Sequence, residues 1–236
     1  MRGTILNTAT VAAGASLGML VGAHVPPLYQ EVAMSGLGLV VFGIGVKMFF
    51  EARDTVAVLA AIALGGVLGT FIGIAPGLEH LSEWARQSLG GGSHFNEGFI
   101  TCCVLFCIGP MTLLGCIQDA VEGKIELLAI KSTLDGIGAF FFAAALGAGV
   151  LVSAIFVLVF QALITLLARP LKSIAKDEEL LTAATGTGGI MMMAIALGIL
   201  GIKALPVANY VPALLLSPLF VVVARKVAKK THVHDA

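Results

Sequence analysis

Four side chains in this sequence have the chemistry to hold an ion or small solute inside apolar surroundings: Asn7, Thr112, Asp135 and Gln161. Lys131 stands four residues before Asp135, a spacing that lets its ammonium pair with the carboxylate on one helix face. Gln118 and Asp119 add an amide and a second carboxylate. Between these groups lies Gly109-Pro110. A proline removes a backbone donor and opens the helix one turn back, so carbonyls near Phe106 and Cys107 need another partner. Transporters use such breaks, with nearby amides and carboxylates, to bind ions and solutes. On this reading Asp135 responds to a proton or cation, Gly109-Pro110 supplies the backbone break, and Asn7 and Gln161 coordinate. The plainer reading is a polar network that locks helices together, with Lys131 reaching back to the interface.

Other chemistries fit poorly. Gly14-Ala15-Ser16-Leu17-Gly18 matches the hydrolase nucleophile pattern, but that motif needs a strand-turn-helix elbow, and here it lies in an apolar helical run. Thr185-Gly186-Thr187-Gly188-Gly189 has neither the preceding strand nor the following lysine of a phosphate loop, and it reads as the start of a helix. Cys102, Cys103, Cys107 and Cys116 share one apolar stretch with no histidine, which favours packing over disulfide or metal chemistry. The expectation is therefore no enzyme, no cofactor and no metal. Net charge is zero, with 14 basic and 14 acidic side chains, and nothing points to nucleic acid.

The elements that must position these groups follow from composition. Of 236 residues, 58% are hydrophobic and 12% charged. A soluble domain is nearer half apolar and a quarter charged, so the fold class is all-α, a polytopic transmembrane helical bundle in a lipid bilayer. Eight apolar stretches are long enough to span: Thr4–Ala23, Val32–Phe50, Thr55–Ala75, Phe99–Ile117, Ser132–Gly149, Val150–Ala168, Ala183–Ile202 and Val207–Val223. The fifth and sixth divide at Leu146-Gly147-Ala148-Gly149. The first reads as a retained span and not a cleaved signal. With the N-terminus inside, only Arg86 and Lys203 of the 14 basic residues fall outside, leaving 12 inside. Seven spans would send the Arg169–Lys176 loop or the basic tail outside, so both termini are expected in the cytoplasm. Most of the polar groups then lie in the cytoplasmic half and suggest a vestibule opening inward. Residues 78–89 read as a short outer interfacial helix with Trp84 at headgroup depth. Asn96 and Glu97 are read as caps of the fourth span.

Glycines four apart let helices approach closely in lipid. Gly14, Gly18 and Gly22 form one such groove, and Gly65, Gly69 and Gly73 another. The same grooves would serve a homo-oligomer. Ala61-Ile62-Ala63-Leu64-Gly65 recurs as Ala194-Ile195-Ala196-Leu197-Gly198, and Gly109-Pro110-Met111 loosely matches Ser217-Pro218-Leu219. The order suggests a four-plus-four parallel duplication within one membrane domain, 1–236, with halves 1–120 and 125–226.

Several segments together have a family look. They are Asn96-Glu97-Gly98-Phe99-Ile100-Thr101, Leu105 through Gly115, Ile117-Gln118-Asp119 and Lys131-Ser132-Thr133-Leu134-Asp135-Gly136, with Asn7 before them and Thr185–Gly189 after. The chain resembles, over nearly its whole length, the YqgA/YdfK-like bacterial membrane family, a domain of unknown function. The resemblance implies a multi-pass protein of the bacterial inner membrane, described as a candidate transporter, and it supplies no substrate and no functional residue. The residues themselves point to a secondary transporter or channel for an ion or small solute, with a non-transporting scaffold or sensor subunit as the alternative.

Overall fold

The computed structural model describes residues 1–107, 109–168 and 177–234, and the expected inner residues Arg169, Lys172 and Lys176 lie outside these. The helices are α1 (Arg2–Gly22), α2 (Pro27–Phe50), α3 (Thr55–Ile72), α4 (Ile74–Leu89), α5 (Phe95–Cys107), α6 (Pro110–Val121), α7 (Glu126–Leu146), α8 (Ala148–Leu166), α9 (Glu178–Ile199) and α10 (Ala213–His234). A 3-10 turn, Val207–Tyr210, precedes α10.

Their ends have local causes. Pro27 opens α2, where its missing amide costs nothing. Asp54 caps α3 by accepting the Ala57 amide at 2.9 Å. Asp177 caps α9 through the Glu179 and Leu180 amides. That places Thr185–Gly189 inside α9, not at its start as the sequence suggested, so their amides serve the helix. Gly147, at φ 74°, splits the long apolar run into α7 and α8.

Among the described residues seven helical segments are each long and apolar enough to cross a membrane, and the pair α5–α6, bent by 60°, makes up to an eighth if it is one span. It starts beside α4, where Asn96 meets Ser82, and finishes beside the N-terminus, where Asp119 meets Met1. The same face as Met1 carries two further clusters: Arg53 with Glu178, and Arg225 with Asp177 and Glu179. Met1 and the Arg225 turn of α10 therefore lie on one side.

Close approach of backbones fixes the packing. A Cβ on Gly14, Gly18 or Gly22 would lie 2.1–2.2 Å from the carbonyl oxygens of Gly136, Phe140 and Ala144, so α1 and α7 run parallel in contact. That groove is filled by α7 and is not free for a second copy. Gly65 and Gly69 press on Ala213 and Asn209, which sets α3 antiparallel to α10. Gly73, by contrast, ends α3 at φ 78° with open space around it, and it does not extend the groove. Gly45 meets Gly189, and Gly38 meets Ile199 and Leu200, so α2 and α9 are antiparallel. One group of helices is α1 and α5–α8, the other α2, α3, α9 and α10, and a shared core including Val11, Phe106, Phe142, Met191 and Met192 joins them. The proposed duplication has no counterpart in the two prolines: Pro110 starts a new helix, while Pro218 sits within continuous α10.

Helix α4 begins four residues earlier than the interfacial helix expected from the sequence. It leaves Trp84 exposed and buries Ser82 and Ala85 against the bundle. Asn96 and Glu97 lie within α5, which starts at Phe95, so they are not caps. Asn96 instead joins α5 to α4, accepting from Ser82 and donating to Glu83.

Candidate functional site

Two stacked polar layers occupy the half of the α1, α6, α7 and α8 group nearer Met1. In the layer nearer Met1 the Thr4 and Thr165 hydroxyls meet at 3.3 Å across α1 and α8. Cys116 of α6 is fully buried. One turn further from the Met1 face, the same three helices present Asn7, Gln161 and Thr112. The steps are three residues along α1 and four back along α8 and α6, and each keeps the side chain on the same helix face. All three are buried, Asn7 and Gln161 with no exposure at all.

This second layer is under-satisfied. Among the described residues Asn7 Oδ1, Thr112 Oγ1 and both polar atoms of the Gln161 side chain have no hydrogen-bond partner. A buried polar group without a partner costs about 1–3 kcal/mol, so four such atoms in one layer call for an explanation. At the edge of the layer, Asp135 Oδ2 accepts from Asn7 Nδ2 at 3.0 Å and from Lys131 Nζ at 2.5 Å. Lys131 and Asp135 are both buried, which is uncommon for an ion pair in a membrane span.

The broken crossing lies on the far side of the layer. Gly109 takes φ 128° and ψ 155°, a conformation closed to residues with a Cβ, and α6 restarts at Pro110. Thr112 is in that first new turn, its amide donating to the Gly109 carbonyl. Phe106 and Cys107, the last turn of α5, are buried, and Phe106 fills the space facing Gly138, one turn from Asp135. Asp119, one turn beyond Cys116, is capped by the Met1 ammonium at 2.8 Å and the Gly3 amide at 2.9 Å. That cap and the Thr4–Thr165 layer close the site toward the Met1 face in this conformation. Gln118 is half-buried and lies off the face shared by Thr112, Cys116 and Asp119.

The structure thus joins Asn7, Lys131 and Asp135 by hydrogen bonds, and Thr112 and Gln161 are buried on the neighbouring helices α6 and α8, with Phe106 and Cys107 next to the Gly109-Pro110 break and Asp119 held on the Met1 side. Gln118 stands apart. Thr4, Cys116 and Thr165 had not been singled out, although their i±3 and i±4 spacing from Asn7, Thr112 and Gln161 carried the signal. A second missed feature is a cavity of about 470 Å³ at the opposite face, between α4, α5, α9 and the 3-10 turn. Glu79, Glu97 and Thr101 stand on its wall, and Val104, one turn before the break, belongs to it too. Among the described residues no three His, Cys, Asp or Glu side chains converge as metal ligands.

Two bacterial proteins align with almost the whole chain. The uncharacterized membrane protein YdfK of Bacillus subtilis (strain 168) is 29% identical over 228 residues, covering 94% of this chain and 96% of its own. The uncharacterized protein YqgA of Escherichia coli (strain K12) is 28% identical over 221 residues, covering 91% and 94%. No solved structure matches. The family model for proteins of unknown function called DUF554 matches residues 2–222, so this membrane protein belongs to the DUF554 family.

Proposed function

We propose that the protein is a secondary transporter or channel for an ion or small solute, and not an enzyme. The observation that carries this reading is the layer of Asn7, Thr112 and Gln161, buried yet unpartnered, beside a broken crossing and the Lys131–Asp135 pair. A static packing network would satisfy its own donors and acceptors, because lipid offers no water to do so. A site that exchanges ligands leaves them free for the ligand.

The charge distribution supports a bacterial plasma membrane with both termini in the cytoplasm. The site then lies nearer the cytoplasm, behind the Asp119 plug, and the cavity bearing Glu79 and Glu97 opens outward. Release of the Met1–Asp119 contact and parting of the Thr4–Thr165 layer would open the cytoplasmic vestibule.

Flux into proteoliposomes tests the reading, with ²²Na⁺, ⁸⁶Rb⁺, ³⁶Cl⁻ and a neutral amino acid panel as probes. At least one probe should move faster than through protein-free vesicles, and Asp135→Asn should slow it. A chain that moves none of these but pulls down a stable membrane partner would support a scaffold or sensor subunit instead.

A further inference from the structure

We infer that the Asn7–Thr112–Gln161 layer binds a monovalent hard cation, with Asp135 as the counter-anion and the Lys131 ammonium as the tethered occupant that the cation displaces. The inference rests on the transport reading and names its ligand. Among the described residues three buried oxygens lack partners, Asn7 Oδ1, Gln161 Oε1 and Thr112 Oγ1, and the steps of three and four residues from Thr4, Thr165 and Cys116 set them at one level on three neighbouring helices. The Gln161 amide is free to present its oxygen because its nitrogen is uncommitted too. The Asp135 carboxylate joins the layer through Asn7. Amide, hydroxyl and carboxylate oxygens are the ligands of hard cations, whereas transition metals prefer imidazole and thiolate.

Charge selects the valence. The site holds one carboxylate and one ammonium, and their charges already cancel. A cation added beside Lys131 would leave an uncompensated positive charge in the bilayer, which is costly. A single positive charge that replaces the ammonium leaves the site neutral; a divalent ion would not. Lys131 lies one turn nearer the Met1 face than Asp135, and its flexible stem can carry the ammonium back to the interface. Cation arrival and Lys131 departure are thus two sides of one exchange at Asp135 Oδ2, and no bond is made or broken.

The test is thermal unfolding of the full chain in detergent, titrated with NaCl, KCl or LiCl against choline chloride at constant ionic strength. The wild type should gain about 3 °C from at least one small cation at saturation and nothing from choline. Lys131→Met should show half-maximal stabilisation at about tenfold lower concentration, because the competing occupant is gone. Asp135→Asn should lose the effect. Should Lys131→Met not fold, Thr112→Val serves: it leaves the ion pair intact and should weaken the stabilisation at least fivefold. Equal responses to choline and to the small cations in every protein would overturn the assignment. In that event, thiol reagents tried on Thr112→Cys in a cysteine-free background separate the two claims. Labelling would leave the transport reading standing with another ligand, and protection would remove both.

Discussion

The hydroxyls of Thr4 and Thr165 meet across α1 and α8, and this contact sets the register that puts Asn7 level with Gln161. Slide α1 by one turn toward the Met1 face and Asn7 would stand level with Thr165 instead of Gln161. The close fit of Gly14, Gly18 and Gly22 on α7 adds a second constraint on α1, so the position of Asn7 is held from two directions.

The Lys131–Asp135 pair should behave as a buried unit. Lys131→Met alone leaves a buried carboxylate without its cation and should cost about 3–5 kcal/mol in choline chloride. Lys131→Met with Asp135→Leu removes both charges and should return to within about 1 kcal/mol of the wild type. Equilibrium unfolding in mixed micelles reads the difference. Additive losses in the double variant would mean that the two groups do not interact.

The α1–α7 contact predicts a contrast between glycines. Gly18→Ala puts a methyl 2.1 Å from the Phe140 carbonyl oxygen and should destabilise by about 1–3 kcal/mol. Gly36→Ala, in open space on α2, should be neutral or stabilise by up to about 1 kcal/mol. The same unfolding assay ranks them, and equal effects at the two positions would contradict the parallel α1–α7 interface.

Much of this was legible from residue types. Hydropathy marked the seven long apolar helices and the α5–α6 pair, because a bilayer fixes the length of a span. Asp135 and Lys131 announced their pairing by spacing alone. Less legible was which face each polar residue takes, since that depends on contacts between distant helices. Thr4 and Thr165 are 161 residues apart, and no local pattern pairs them. Gln118 looked like its neighbour Asp119 in the sequence, yet one residue along a helix turns a side chain through about 100°. Gly73 continued a four-residue period and was misread for the same reason: a period says nothing of where the helix stops.

On the Met1 face, the Arg225 guanidinium, aided by the Leu180 and Glu179 amides, holds the Asp177 carboxyl down at about 2. A carboxylate whose folded pKa is depressed contributes stability above its unfolded value and loses that contribution as pH falls through the folded one. The melting temperature of the wild type should therefore exceed that of Arg225→Gln by a constant amount above about pH 5, and the gap should close between about pH 4 and 2. A gap that does not change with pH over that range would mean that Arg225 acts through packing alone.

The most direct test of the central claim is solvent access to the second layer. Single cysteines at positions 7, 112 and 161, in a background free of the four native thiols, are exposed in native membranes to a small membrane-impermeant thiol reagent from each side. Val157, buried one turn from Gln161 on α8, serves as the dry control. A transport site must meet water in some conformation, so all three positions should label from at least one side, well above position 157. Labelling no faster than at position 157, from both sides, would show a dry network and contradict the account.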